Sequence, residues 1–427
     1  MADSLFQDYI KDDYKPIVTE INKYLNGEIA EQKPYYFQRF LTKKYSVTGM
    51  WESFQADFTQ VTADYVALDS TLPLKMRDTI NKVTGEIMKQ GVMMKMNERQ
   101  LKDLLTMRKL GMDEQQILNE LFEDTKRCMR AIYENIERTF LEGLSAGVCV
   151  VSDDEDTGLA LRLDFHYKDG NKFDSQIKWS RKDAKTLDDC EKIITSAKDK
   201  GIIVDKALMD RQTFKNFINS QQVRDFYAGT KEYLANVALM PRISLDQINS
   251  ALKADPLYGF EIEIIDRSFM REKNGKRKPY TAWAKGMVIF TQGEDLGMLQ
   301  WTDTVEASLD VKTTNTTTVD EYMLVTKWAE NYPTPAEFTT AQACVVPVVS
   351  NTDYIYQLDS EGGSEDSSEG DGNVDILGGT YSKSTVIEKL SDVLGIVISS
   401  TATDAEVVEA VNNLSKANQK ILKNALA

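Results

Sequence analysis

From Asp113 to Gly143 the chain reads DEQQILNELFEDTKRCMRAIYENIERTFLEG, and its apolar positions recur every three or four residues. Ile117, Leu121, Cys128, Ile132, Ile136 and Phe140 form one stripe, with Leu118, Phe122 and Met129 beside it. The spacing predicts a single helix over 113–143, with Asp113 and Glu114 at its positive N-terminal end and Gly143 as a stop. Such a helix would be ~46 Å long, more than a compact domain usually needs. With one apolar side it reads as a strut that has sheet packed beneath it and room for something else above.

Other elements follow from the same patterning. Residues 1–61 are polar and dotted with aromatics (Phe6, Tyr9, Tyr14, Tyr24, Tyr35, Tyr36, Phe37, Trp51, Phe54, Phe58), with a short helix expected over Lys15–Leu25. This lead-in lacks a core of its own, so its aromatics must rest on the body of the same chain or on a neighbour. Residues 62–96 read as a long two-stranded excursion, with Pro73, Gly85 and Gly91 as breakers, and an isolated hairpin of that length must lean on a surface. A short helix over 97–110, stopped by Gly111, leads into the strut. Leu161, Leu163, Phe165 and Tyr167 alternate with Arg162, Asp164 and His166 in a half-buried strand, and Val148–Val151 pairs with it across SDDEDTG. Helices are expected at 183–199 and at 209–219, the latter capped by Asp210, with helix and loop mixed over 231–254. Strands are expected at 259–265, 286–291, 297–301, 320–327 and 343–357.

At Leu358 the composition shifts. LDSEGGSEDSSEGDGNVD carries seven acids and no base, which predicts a solvated linker over 358–379, followed by a small helical unit to residue 427. No internal repeat stands out.

Charge sharpens the picture. The strut carries eight carboxylates (Asp113, Glu114, Glu120, Glu123, Asp124, Glu134, Glu137 and Glu142) against Lys126, Arg127, Arg130 and Arg138. The outer part of the 62–96 excursion has the opposite sign: Lys75, Arg77, Lys82, Lys89 and Lys95 against Asp78 and Glu86, with Asp64 and Asp69 nearer its base. A contact between two such surfaces gains register and association rate more than affinity. The whole chain, 427 residues with a net charge of −16, argues against general nucleic-acid binding and suits a protein that shares a crowded space with a polyanion without sticking to it. Its 42% hydrophobic and 28% charged content is that of a folded protein of two or three domains. No apolar run is long enough to span a membrane, and the acids of MADSLFQDYIKDDYKP do not make a secretory leader, so use in a cytosol is expected.

Catalytic material is scarce. The one histidine, His166, has nothing near it in sequence to make a metal pair or a Ser/His or Cys/His couple. Cys128, Cys149, Cys190 and Cys344 lie far apart, without a CxxC, and are expected to be reduced and buried. The turn Asp153-Asp154-Glu155-Asp156 lacks the alternating ligands and closing glutamate of a calcium loop, and no phosphate-binding glycine motif occurs. Arg271, Lys273, Lys276, Arg277 and Lys278 surround Asn274-Gly275, which is hairpin-turn chemistry first and a phosphate contact second. No catalytic, cofactor or metal residue is assigned, and a structural role is the expectation.

The order of parts (arm, basic-tipped excursion, long helix, sheet, helical insert, returning strands) resembles the major capsid proteins of tailed bacteriophages. The likeness is to their Hong Kong 97-type α+β fold, and more narrowly to the branch of the phage lambda head protein, major capsid protein E. The stretches that carry it are GIIVDKALMDRQTFKNFINSQQVRDF (201–226), FEIEIIDRSFMREKNGKRKPY (260–280), KGMVIFTQGEDLGMLQW (285–301) and FTTAQACVVPVVSNTDYIYQL (338–358). The likeness covers about residues 40–358. It implies an N-terminal arm (1–61), an extended loop (62–97), and a peripheral domain (98–180 and 286–357) built on the strut. It further implies an axial domain (181–285), to which the linker and the unit from 380 to 427 are additions outside the basic pattern.

The resemblance implies assembly into the pentamers and hexamers of a closed head shell around double-stranded DNA. The expected partners are a scaffolding protein, a portal, a maturation protease and a decoration protein, with no membrane, and the expected setting is the virion capsid, assembled in the host bacterial cytoplasm. Lys75, Arg77, Lys82, Lys89 and Lys95 would then face Glu120, Glu123, Asp124 and Glu134 of an adjacent subunit. No residue pair for inter-subunit cross-linking is assigned. On the residues alone an encapsulin-like nanocompartment shell, a tail or connector component and a carboxylate-based metal hydrolase around 153–156 stay open.

Overall fold

The computed structural model describes residues 4–10, 14–27, 34–56, 80–151, 161–230, 242–273, 276–308, 315–331, 333–363, 373–376, 379–382, 385–386, 389–390, 411, 414 and 419. The chain forms two units, Met1–Gly363 and Ser364–Ala427.

The strut is a helix over Glu114–Ala146, about 50 Å long. It passes Gly143 and stops at Gly147, whose φ of 74° suits glycine and whose N–H bonds the Gly143 carbonyl. Gly143 instead makes room for an aromatic ring, since a Cβ there would lie 2.0 Å from Cε2 of Phe165. The expected stripe is buried, and so are Tyr133, Glu137, Leu141, Leu144 and Ser145. The expectation of one apolar side therefore fails in the second half of the helix, which is enclosed by several elements at once.

Beneath the strut lies a six-stranded sheet. Its path runs Leu41–Tyr45, Gly297–Thr302, Ala336–Val349, Met323–Glu330 and Thr316–Val319, with Lys89–Met96 added along Ala336–Val349. The first two strands are parallel and the other pairs antiparallel. The stretch expected as one strand over 343–357 is two: a long strand ending at Val349 and Ile355–Asp359, separated by the turn Thr352–Tyr354. Gly297 faces the long strand so closely that a Cβ would sit 2.1 Å from the Val348 carbonyl oxygen. Gly297→Ala is expected to cost about 1–3 kcal/mol through overpacking, read as a lower denaturant midpoint.

Among the described residues the lead-in aromatics rest on their own chain; Phe58 lies outside them. Tyr14–Leu25 is the expected short helix, and Tyr36–Phe40 is a second, shorter one. Ring centroids of Tyr14 and Phe122, Tyr35 and Tyr133, and Phe40 and Phe140 are 5.9, 5.5 and 6.2 Å apart.

The excursion is paired differently from the expectation. Ile80–Glu86 runs antiparallel to Met50–Ala56, a strand that lies before residue 62, while Lys89–Met96 belongs to the large sheet. Gly85 is no breaker: it lies within the strand, under Trp51, where a Cβ would be 2.4 Å from the indole Nε1. Residues 57–79, with Pro73, Lys75 and Arg77, lie outside the described residues.

A second sheet orders Lys172–Asp174, Ile355–Asp359, Met287–Thr291, Lys206–Asp210 and Glu261–Ile265. With helices Thr186–Asp199, Arg211–Asn219, Gln221–Thr230 and Leu245–Ala254 it encloses a separate core that includes Trp179, Phe217, Phe260 and Phe290. The Asp210 carboxylate caps its helix as expected, accepting from the N–H groups of Gln212 and Thr213. Val148–Val151 pairs with Leu161–Asp164 as expected, but the strand ends at Asp164 and His166 turns with φ 48°. The acidic turn between them is outside the described residues. Ser268–Lys273 and Lys276–Thr281 form a hairpin that joins no other strand among the described residues.

The linker reading fails at both ends. Leu358 and Asp359 belong to the strand Ile355–Asp359, and the backbone of Ser360 accepts from the Trp179 N–H and donates to Gly286. In the second unit Asn373–Ile376 pairs with Gly379–Ser382. Acidic, glycine-rich composition suggested solvated coil, yet backbone hydrogen bonds hold these segments whatever their side chains. Val386, Leu390 and Val411 of the second unit are buried; most of the helical region expected there is outside the described residues.

Candidate assembly surfaces

Three buried polar clusters fix the arm and the hairpin to the strut, and they decide which charges remain for other contacts. In the first, the side chain of Glu137 is fully buried and its oxygens accept from the backbone N–H groups of Tyr36 (2.9 Å) and Phe37 (3.0 Å). A carboxylate on the strut thereby satisfies orphan donors at the start of the Tyr36–Phe40 helix. Arg267 lies 3.3 Å from Glu137 and 2.9 Å from Glu134, with its guanidinium 4.2 Å from the Tyr35 ring centroid. Burial raises the Glu137 pKa above the ordinary glutamate value, opposed by the two N–H groups and by Arg267. Arm, strut and the segment before the hairpin meet here.

The second cluster surrounds Lys327, 1% exposed. Its Nζ donates to the Leu121 carbonyl and the Thr339 hydroxyl, each at 3.1 Å, and lies 3.6 Å from the fully buried Glu337. The hydroxyl of Ser4 donates to the same Glu337 oxygen. Burial holds the Lys327 pKa below the usual lysine value, with Glu337 and Asp124 opposing it. In the third, Asp320 (φ 50°) accepts from Asn22 at 3.1 Å and Asn26 at 3.2 Å, and the Tyr133 hydroxyl lies 2.6 Å away.

These clusters redistribute the charges expected to act between subunits. Glu134 is held by Arg267, and Glu123 pairs with Arg127 one turn along the strut at 3.1 Å. Lys89 lies 2.5 Å from Glu306, and the Lys95 amine sits 5.6 Å from the Phe338 ring centroid, both within one chain. Asp124 is half-buried and contributes to the field at Lys327, while Glu120 is exposed. Lys82 lies on the strand Ile80–Glu86, and Lys75 and Arg77 lie outside the described residues. Among the described residues, Lys89 and Lys95 thus meet groups other than the four strut acids.

Glu137, Arg267 and Lys327 were not singled out by the sequence. A signal existed for the first: Glu137 falls four residues after Tyr133 and four before Leu141, inside a second row of buried positions. Among the described residues no group of three or more histidine, cysteine or acidic side chains is placed to hold a metal, and all four cysteines are free and buried.

A strut under an arm, a sheet beneath it and a separately cored helical domain define the Hong Kong 97-type capsid fold. A crystal structure from a prophage of E. coli CFT073, assigned as a capsid protein, superposes with a TM-score of 0.50 at 14% identity, covering 80% of this chain and 98% of that one. A phage-related protein from Bordetella bronchiseptica RB50 gives a TM-score of 0.47 at 10% identity, covering 82% of this chain and 98% of that one. The mature capsid subunit of bacteriophage PhiM1 gives 0.43 at 8%, covering 77% and 87%. No curated protein sequence matches the chain. The family model of phage major capsid protein E matches residues 51–360, and the chain belongs to that family. It is a structural subunit of a phage head shell.

Proposed function

We propose that copies of this chain close an icosahedral shell of pentamers and hexamers around double-stranded DNA in the bacterial cytoplasm. In this reading residues 181–285 cluster about the symmetry axes, the arm and strut brace the outer sheet, and the extended loop reaches over a neighbour. A scaffolding protein, portal, maturation protease and decoration protein are the partners such a shell calls for. The observation that carries the reading is the family match across residues 51–360, which spans the extended loop, the strut, the second sheet and all of the first but its edge strand Leu41–Tyr45. Many weak, repeated contacts are what closed symmetric assembly requires.

Within that reading Lys75, Arg77 and Lys82 are the loop cations that approach a neighbour, and the acids they meet there are Glu120, Glu123 and Asp124. Lys89, Glu123 and Glu134 contribute less to such a contact, because each already has a partner in its own chain.

The loop test must spare Ile80–Met96, since both its strands are paired. Ala56 and Ile80 are register partners, so a short Gly/Ser turn joins them once 57–79 are removed. The expected result is a soluble subunit with an unchanged far-ultraviolet spectrum that forms no closed shells. Normal shells by electron microscopy would refute the loop's role.

A further inference from the structure

Between the helix Glu98–Lys109 and the strut lies an open groove of about 420 Å³, within the ~300–1,000 Å³ range of clefts that hold a ligand. Met96, Leu104 and Met107 make its apolar floor, and Leu110 lines it while 73% exposed. Positions 103, 104, 107 and 110 recur at the spacing of one helix face, so the short helix presents this wall as a unit. Asp103 and Glu120 are the acids of the groove; both are exposed, and among the described residues neither is ion-paired. Lys102 and Lys109 of the same helix do not line it. An apolar floor beside two unpaired acids fits a segment that alternates apolar and basic side chains. The extended loop contains one: in Leu72-Pro73-Leu74-Lys75-Met76-Arg77, the apolar Leu72, Leu74 and Met76 alternate with Lys75 and Arg77.

The positions of groove and loop root favour a second copy as the source of that segment. Met96 opposes Glu337 and lies on the strut side of the large sheet. The first strand of the loop, Met50–Ala56, is held at Glu52 by hydrogen bonds of 2.9 and 2.5 Å to the side chain of Gln300, which opposes Val346. Val346 is nine positions beyond Glu337 on the same strand, about 30 Å away, and an odd step reverses the face. Groove and loop root therefore lie far apart on opposite sides of one sheet, and a chain's own loop would have to round that sheet to reach its own groove. A protruding segment on one side and its seat on the other make a heterologous, head-to-tail contact, the kind that closes rings.

We propose that the groove is the seat of residues 72–77 of a second copy, with Leu72, Leu74 and Met76 on the apolar floor and Lys75 and Arg77 against Asp103 and Glu120. The inference rests on the shell-building reading and deepens it. The loop is anchored by apolar side chains in a cleft, and its charges set register and association rate.

Leu110→Glu tests the seat without disturbing the fold, because the side chain is exposed. The expected result is an unassembled subunit of unchanged Tm whose association, followed by light scattering, is about tenfold slower at low and high salt alike. Asp103→Lys/Glu120→Lys is expected to slow association chiefly at low salt, since screening removes the charge contribution. A cross-link identifies the occupant. Leu110→Cys subunits co-assembled with Leu74→Cys subunits are expected to give, on oxidation, a disulfide-linked pair containing one of each. The four native cysteines are buried and do not compete. In a chain carrying both substitutions, a disulfide confined to one chain would overturn the proposal, and so would Leu110→Glu association at the wild-type rate; closed particles in either case leave the shell reading intact. A wild-type chain that stays monomeric under all assembly conditions overturns both. If an added scaffolding protein, and not the loop of another subunit, protects the Leu110→Cys thiol from alkylation, the groove serves that partner and the loop seat is refuted.

Discussion

Lys327→Met is expected to lower the unfolding free energy of the unassembled subunit by about 3–5 kcal/mol, the usual cost of breaking a buried ion pair. The lysine is the only described cation in contact with Glu337, whose side chain is fully buried and already has one oxygen without a hydrogen-bond partner. Removing it leaves a carboxylate uncompensated in a buried site between strut and sheet, and takes from the Leu121 carbonyl the additional donor that meets it there. The loss comes from what is left behind, so a second substitution should reverse it. Lys327→Met/Glu337→Leu is expected to regain most of the stability, because two apolar side chains of similar volume need no partners. Chemical denaturation of the three proteins checks this. A double variant no better than the single would show that the pair is needed for packing and not merely for mutual compensation.

Lys327 also shows where reading a sequence stops. In MLVTKWAE the alternation of apolar and polar residues puts Lys327 on the same face as Met323, Val325 and Ala329, a buried face, and that conflict is the only trace it leaves. What resolves the conflict, the Leu121 carbonyl and Glu337, comes from residues far away in the chain. The strut was legible because helical periodicity is local: nine apolar residues at the right spacing locate it within three residues at either end. Strand partners are not local. Met50–Ala56 and Ile80–Glu86 look like any two half-polar strands, and nothing in either segment says that they pair across 57–79. The same limit applies to the acids of the strut. Eight carboxylates on one helix read alike, yet Glu137 is a buried cap, Glu134 and Glu142 are tied to Arg267 and Arg138, and Glu120 is exposed. The overall order of parts survived these errors because it depends on element type and sequence, not on which side chain meets which.

Glu137→Ala is expected to free the arm from the strut. The substitution removes the acceptor for two backbone N–H groups of the Tyr36–Phe40 helix and one of the two carboxylates that hold Arg267, at a cost of about 3 kcal/mol. Elsewhere the arm keeps its aromatic contacts and its hydrogen bonds to Glu337 and Asp320, so the loss should be local: chymotrypsin should cut at Tyr35, Tyr36 or Phe37 in the variant under conditions where the wild type is protected. Equal cleavage rates would refute the role of Glu137 as the arm's anchor. The pH dependence gives an independent check. Burial raises the folded-state pKa of Glu137 above the unfolded value of about 4.3, so in the window between the two the native state binds the proton more tightly. The contribution of Glu137 to stability is therefore greatest below that window and falls as pH rises through it. Glu137→Gln, which cannot titrate, should lack this fall, so the stability difference between wild type and variant should shrink with rising pH. A difference that grows instead would mean that Arg267 and the helix N–H groups outweigh burial, and that the ionised carboxylate is the form the fold prefers.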